Sequence, residues 1–201
     1  MTTETARLGR DLAELNEGFL ELVTGGADAG LPADVLARLR GSERGARQQL
    51  AAMPFALFCF GFEDDTGWAR LLSPGVRDLA SGYVCHEPLV ERFTVMALTA
   101  LRGFVRVAPQ SVSAWIGMPA ETRLRLAELE IGLLGVVGAL AAPRLRGRLA
   151  TREHFWQQLL GAAEHNDRRQ LVVLAAVGKQ WTIRRCLGLE APTAPRRAFR
   201  R

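Results

Sequence analysis

The chain has 201 residues and a formal charge of +5, with 48% hydrophobic and 23% charged side chains. That balance excludes disordered and fibrous classes and bounds the chain to one domain or two small ones. Three cysteines, Cys59, Cys85 and Cys186, are too few and too scattered for a disulfide framework, which leaves a reducing compartment as the expectation. The polar start MTTETARLGRDLAELNE lacks the apolar stretch of a secretory signal. The longest nearly unbroken apolar run, Ile131 to Ala142, falls short of the roughly 20 residues a bilayer requires. A cytoplasmic protein without membrane contact is expected.

Taken in chain order, the pattern predicts an all-α protein. Leu8, Leu12, Leu15, Phe19 and Leu22 form a heptad-like stripe that Gly25-Gly26 stops. Such a helix can pair with another helix, within the chain or between chains. A short helix is predicted from Pro32 to near Gly41, and another from Ser42 to about Met53, before Pro54. Phe58, Phe60 and Phe62 alternate with smaller residues, which predicts an extended segment at about 55–62. Asp64, Asp65 and Thr66 offer caps for a helix carrying Trp68, Leu71 and Leu72. A long amphipathic helix is predicted over about 88–107, with Val90, Phe93, Ala97, Leu101 and Phe104 inward. Further helices are predicted at 119–129, 130–142, 152–163 and 167–187, with Thr151 capping the third and Asn166 or Asp167 the last.

The sequence also reads as internally duplicated. Gly30-Leu-Pro-Ala-Asp34 resembles Gly117-Met-Pro-Ala-Glu121 at an offset of 87, and Arg38-Leu39 matches Arg125-Leu126 at the same offset. Trp68 with Leu71-Leu72 matches Trp156 with Leu159-Leu160 at an offset of 88. Short amphipathic helices also resemble one another by chance, but anchors in the same order favour a true repeat. The expected organisation is a first helical module at 1–87, a diverged second module at 88–192 and a basic disordered tail at 193–201. The two modules would pack as a pseudo-two-fold pair, as a symmetric dimer does. Their charges differ: residues 1–75 carry 7 basic and 11 acidic side chains, and residues 76–201 carry 19 and 10.

The first 80 or so residues resemble the flagellar transcriptional master-regulator D subunit (FlhD) family. The likeness rests on Asp11-Leu-Ala-Glu-Leu-Asn-Glu-Gly-Phe-Leu20, on Gly30-Leu-Pro-Ala-Asp-Val-Leu36 and, most specifically, on Leu57-Phe-Cys-Phe-Gly-Phe-Glu-Asp-Asp65. It implies an all-α cytoplasmic transcription regulator that works as a dimer bound to a second, zinc-containing subunit at flagellar promoters. The chain departs from that pattern in its length, in its apparent duplication and in the loss of the Phe/acid stretch from the second half.

Candidate chemistry is sparse. Cys85-His86-Glu87 invites a nucleophile reading, but adjacent side chains point apart. The cysteines and histidines lack the paired spacing of a zinc site, so neither metal nor cofactor is expected. Glu63-Asp64-Asp65 is a carboxylate cluster, equally explained as a helix-start cap. The arginines are better candidates. Arg144, Arg146, Arg148 and Arg152 form one run, and Arg168-Arg169 and Arg184-Arg185 flank the last helix. They suit phosphate contacts along double-stranded DNA, or a solvated rim. Leu8, Leu12, Leu15, Phe19, Phe58, Phe60, Phe62 and Trp68 are candidates for a partner surface, with core packing as the competing reading.

The expected function is therefore an FlhD-like, non-enzymatic transcriptional regulator that acts through a regulatory protein partner, with DNA contact through the basic half left open. It is compatible with homo- or hetero-oligomers. The alternatives are an adaptor or anti-activator that sequesters a regulator without touching DNA and, third, a small helical enzyme.

Overall fold

The computed structural model describes residues 3–79 and 87–189. Five helices come first: α1 (Thr3–Thr24), α2 (Ala33–Gly41), α3 (Arg44–Ala51), α4 (Asp65–Leu71) and α5 (Val76–Leu79). Six follow: α6 (Pro88–Val107), α7 (Pro109–Ile116), α8 (Ala120–Glu128), α9 (Leu134–Ala141), α10 (Glu153–Glu164) and α11 (Arg168–Cys186). The one ladder among the described residues pairs β1 (Phe58–Cys59) with β2 (Arg146–Gly147). The all-α class expected from periodicity is what the chain adopts. No single helix among the described residues is long and apolar enough to cross a membrane.

Helix α1 shows how its pattern becomes structure. Leu8, Leu12, Leu15 and Phe19 are buried, and so are Leu20 and Val23, so the apolar face is wider than a coiled-coil seam. It is covered within the chain, by α3 on one side and α6 on the other. Burying each such side chain is worth about 1.5–3 kcal/mol. Helices α1 and α6 run in opposite directions. Gly18 lies against Phe93 and Met96, and Phe19 stacks on Phe93 at 6.2 Å, whereas Leu8 near the start of α1 shares a groove with Phe104 near the end of α6. Val90, Phe93, Ala97, Leu101 and Phe104 of α6 all point inward, as its spacing predicts.

Asn16 interrupts the stripe and is itself fully buried. Its amide nitrogen donates to the carbonyls of Ala51 (3.1 Å), Met53 (3.3 Å) and Phe55 (3.0 Å), and its oxygen accepts from the Leu57 amide at 2.8 Å. A buried amide is tolerable only when satisfied in this way. Here it ties the irregular chain after α3 to α1.

The extended segment expected at 55–62 forms a ladder only at Phe58 and Cys59, antiparallel to Gly147 and Arg146 respectively. Flanking bonds lengthen the junction: Gly147 donates to the Ala29 carbonyl and Arg148 to the Leu57 carbonyl, each at 2.7 Å. Phe55 through Phe60 are buried although most of them lie outside the ladder. The side chains of Asn16, Arg148 and Trp68 take up the carbonyls of Phe55, Ala56, Phe58 and Phe60.

Buried residues from both halves form one continuous cluster that includes Phe19, Phe58, Trp68, Phe93 and Trp156. Across the halves, α1 packs on α6, α2 and α3 on α10, and α4 on α8 and α9. Ala33 and Ala120, the first residues of α2 and α8, are 87 residues apart, as are the paired Cys59 and Arg146.

Several boundaries differ from expectation. The helix expected from Ser42 to Met53 spans only Arg44–Ala51, and Pro32 is the cap of α2 rather than its first helical residue. Thr151 does not cap α10; Arg152 holds that position but its side chain does not cap the helix, whereas Asp167 caps α11 through the Gln170 amide at 3.0 Å. The stretch at 130–142 is divided into a 3-10 turn (Ile131–Leu133), α9 and a second 3-10 turn (Ala142–Arg144). Helix α7 was not expected: Pro109, fixed at a helical φ, restarts a helix at once after α6.

Candidate interaction face

The arginine run around β2 is only partly turned inward: Arg146 and Arg152 are exposed and Arg144 is half-buried. Arg148 is buried. Its guanidinium donates to the carbonyls of Ala56 (2.7 Å), Phe58 (3.0 Å) and Ile116 (2.5 Å) and reaches the Thr182 hydroxyl at 3.4 Å. Burial holds its pKa below the usual arginine value, and Arg185 adds to the effect, while the nearby Cys59, Glu63 and Cys186 oppose it. Gly117 ends α7 in the left-handed region (φ +70°), and a Cβ there would lie 3.0 Å from a Thr182 methyl and 3.2 Å from the Arg148 guanidinium. The planar fork thus welds the β1 segment to α7 and α11.

Its neighbours are also engaged within the chain. Arg144 pairs with Asp64 at 2.8 Å and lies 5.8 Å from the Trp68 ring centroid. The Gly67 amide first, and Arg144 second, hold the Asp64 carboxyl below the usual carboxylate range. Arg146 turns back onto the carbonyls of Pro143 (3.0 Å) and Leu145 (2.7 Å). The Arg152 guanidinium sits 4.4 Å over the Trp181 ring, and Arg185 pairs with Glu63. Arg168, Arg169 and Arg184 are exposed. The proposed duplex-contacting set therefore needs correction. Arg148 cannot reach a phosphate, and Arg144 and Arg185 spend their charge on acids of the first half.

The candidate partner surface needs the same correction. Leu8, Leu12, Leu15, Phe19, Phe58, Phe60, Phe62 and Trp68 are all buried. Phe58 meets Phe93 edge-on at 5.2 Å, and Phe62 lies 4.7 Å from Trp68, whose indole N–H donates to the Phe60 and Gly61 carbonyls. These aromatics are core. Cys85 and His86, and the tail from Pro195, lie outside the described residues. Glu63 and Asp64 of the carboxylate cluster serve as ion-pair and cap groups. No group of three His, Cys, Asp or Glu among the described residues is placed to hold a metal ion.

The surface that sequence reasoning missed is on α11. Its inner face buries Leu171, Leu174, Gly178 and Thr182. Gly178 permits a close approach: a Cβ there would stand 2.6 Å from the Phe55 ring. Trp181 meets Phe155 edge-on at 5.3 Å and completes the docking. The outer face is apolar too. Val172 (70% exposed), Val173 (61%), Ile183 (39%) and Leu187 (65%) lie on it, with Ala176 and Gln180 between them. Val173, Ala176, Gln180, Ile183 and Leu187 follow a 3-4-3-4 spacing, the period of a coiled-coil seam. That spacing was present in the sequence but is hidden behind the inner Leu171 and Leu174. Beside this face Met53, Pro54, Val172 and Lys179 help line an open groove of about 450 Å³.

Comparison with family models, with curated proteins and with solved structures gives no match for this chain.

Proposed function

We propose that this chain is an FlhD-like regulatory protein that acts by binding a protein partner, as an adaptor or anti-activator, and performs no catalysis. The observation that carries this reading is the division of labour in the second half. Around β2, Arg148 is buried and Arg144 is paired with Asp64, while the outer face of α11 is an apolar seam left exposed among the described residues. Apolar helix faces supply affinity for proteins, not for phosphate backbones. The resemblance of Leu57–Asp65 to the flagellar regulator supports the class of process. The antiparallel meeting of α1 with α6, and of β1 with β2, supports two related modules facing each other inside one chain.

A second reading, direct contact with double-stranded DNA, draws on the exposed Arg146, Arg152, Arg168, Arg169 and Arg184. Anisotropy of a labelled 20-base-pair duplex, titrated with the full chain over a range of salt, separates the two. The adaptor reading expects no binding, or weak binding that sequence does not modulate. Tight binding that falls linearly on a log–log salt plot would favour the DNA reading instead. A flagellar-promoter reporter tests the process itself: expression of the chain should change reporter output, and an unchanged output would overturn the regulatory assignment.

A further inference from the structure

We infer that the outer face of α11 is a docking site for an acidic amphipathic helix of a partner protein. This rests on the protein-binding reading above and names the partner's chemistry. Two observations set it. The first is the shape of the apolar surface: Val173, Ala176, Gln180, Ile183 and Leu187 keep a heptad spacing along a 19-residue helix, so the matching occupant is another helix with knobs at a and d. The lone Gln180 in that seam is the kind of polar residue that fixes register between two helices.

The second observation is charge. Helix α11 carries Arg168, Arg169, Lys179, Arg184 and Arg185 and no acidic residue. On a helical projection Lys179 borders the apolar strip on one side and Arg184 on the other, the places of the e and g residues that select a coiled-coil partner, and Arg169, four residues before Val173, continues the seam as a cation. Glutamates on the partner would meet these cations. A second α11 would not: paired in either direction, it would bring arginines against arginines at both ends. A DNA backbone would satisfy the cations but leave Val172, Val173 and Leu187 against phosphates.

The test uses the full chain and two synthetic 28-residue helices. Both carry leucine at a and isoleucine at d; one has glutamate and the other lysine at e and g. Fluorescence anisotropy should show the acidic peptide binding at least tenfold more tightly than the basic one, with affinity falling as salt rises. In the double variant Val173→Glu/Leu187→Glu, both exposed positions, that binding should drop at least tenfold while the thermal midpoint stays within about 2 °C of the parent. Equal binding of the two peptides overturns the inference, and so does an unchanged affinity in the variant. Sedimentation velocity adds one more overturning outcome: a homodimer that the variant dissolves would make a second copy the occupant. The promoter reporter keeps this inference distinct from the reading beneath it. A variant that loses the peptide yet regulates normally sinks the docking site alone; a parent chain with no effect on the reporter sinks the regulatory reading, whatever the peptide does.

Discussion

Trp68 and Trp156 stand 88 residues apart and make the same bond. Each indole N–H turns back to a carbonyl eight residues earlier: Trp68 to Phe60 at 3.2 Å and Trp156 to Arg148 at 2.8 Å. The backbone device is shared, but the side chain at the accepting position is not. Phe60 lies edge-on between Phe58 and Phe62 in the apolar core. Arg148, equally inside, points its fork at carbonyls of the first half. The contrast is between an aromatic stretch in one half and a basic one in the other. In the structure part of that contrast is complementary and internal. One half exposes carbonyls that its two-residue strand cannot pair, and the other supplies the donor.

The comparison can be broken most forcefully at the tryptophans themselves. Trp68→Ala and Trp156→Ala should each cost about 3–5 kcal/mol, since both rings are fully buried and both N–H bonds are lost. Urea unfolding would read both, and a loss below about 1 kcal/mol for either would mean that the two sites are not equivalent. At the accepting position the substitutions should part company. Arg148→Met orphans three carbonyls and should cost about 3 kcal/mol, whereas Phe60→Leu removes only packing and should cost about 1–2 kcal/mol. Asn16→Ala, which frees the chain between α3 and β1, should cost about 2–3 kcal/mol by the same orphaning. Gly178→Ala should cost about 1–3 kcal/mol, because the added methyl forces Phe55 away from α11.

The smallest effect lies at the Asp64–Arg144 pair, which is half exposed. Asp64 binds its proton less readily in the folded chain than in the unfolded one, so the unfolded state takes up protons first as pH falls. Asp64, held by the Gly67 amide first and by Arg144 second, therefore contributes stability above the ordinary carboxylate pKa near 4, and that contribution disappears as pH drops through the depressed value. Solvent screening keeps it under about 1 kcal/mol. Asp64→Asn should flatten that part of the stability–pH curve and leave the rest in place.

Helix content was legible because the stripes of α1 and α6 repeat over several turns, long enough for the 3.6-residue period to dominate. The helices of Trp68 and Trp156 were legible from the recurring Trp and Leu-Leu anchors, and Asp64 and Asp167 announced the caps of α4 and α11, whereas Thr151 misplaced that of α10. The fate of the arginines was not. Nothing in Arg144-Leu-Arg-Gly-Arg148 tells which guanidinium is buried, since that depends on carbonyls of Ala56 and Phe58, about 90 residues upstream, and on α7, which Pro109 disguised as a loop. The seam on α11 was hidden for a different reason. A helix apolar on two faces shows no clear amphipathic signal, although each face alone is regular.

The bridge formed by Arg148 has a bearing on how the chain comes into being. The groups it joins are separated by 92 residues at Ala56 and 90 at Phe58, and β1 finds β2 over a similar span. Contacts so distant along the polypeptide are slow to form, because the loop entropy must be met before they give anything back. On the ribosome the opening helices emerge well before their arginine does, with the Ala56 and Phe58 carbonyls still hydrated. Assembly of the first half is completed only when the second arrives.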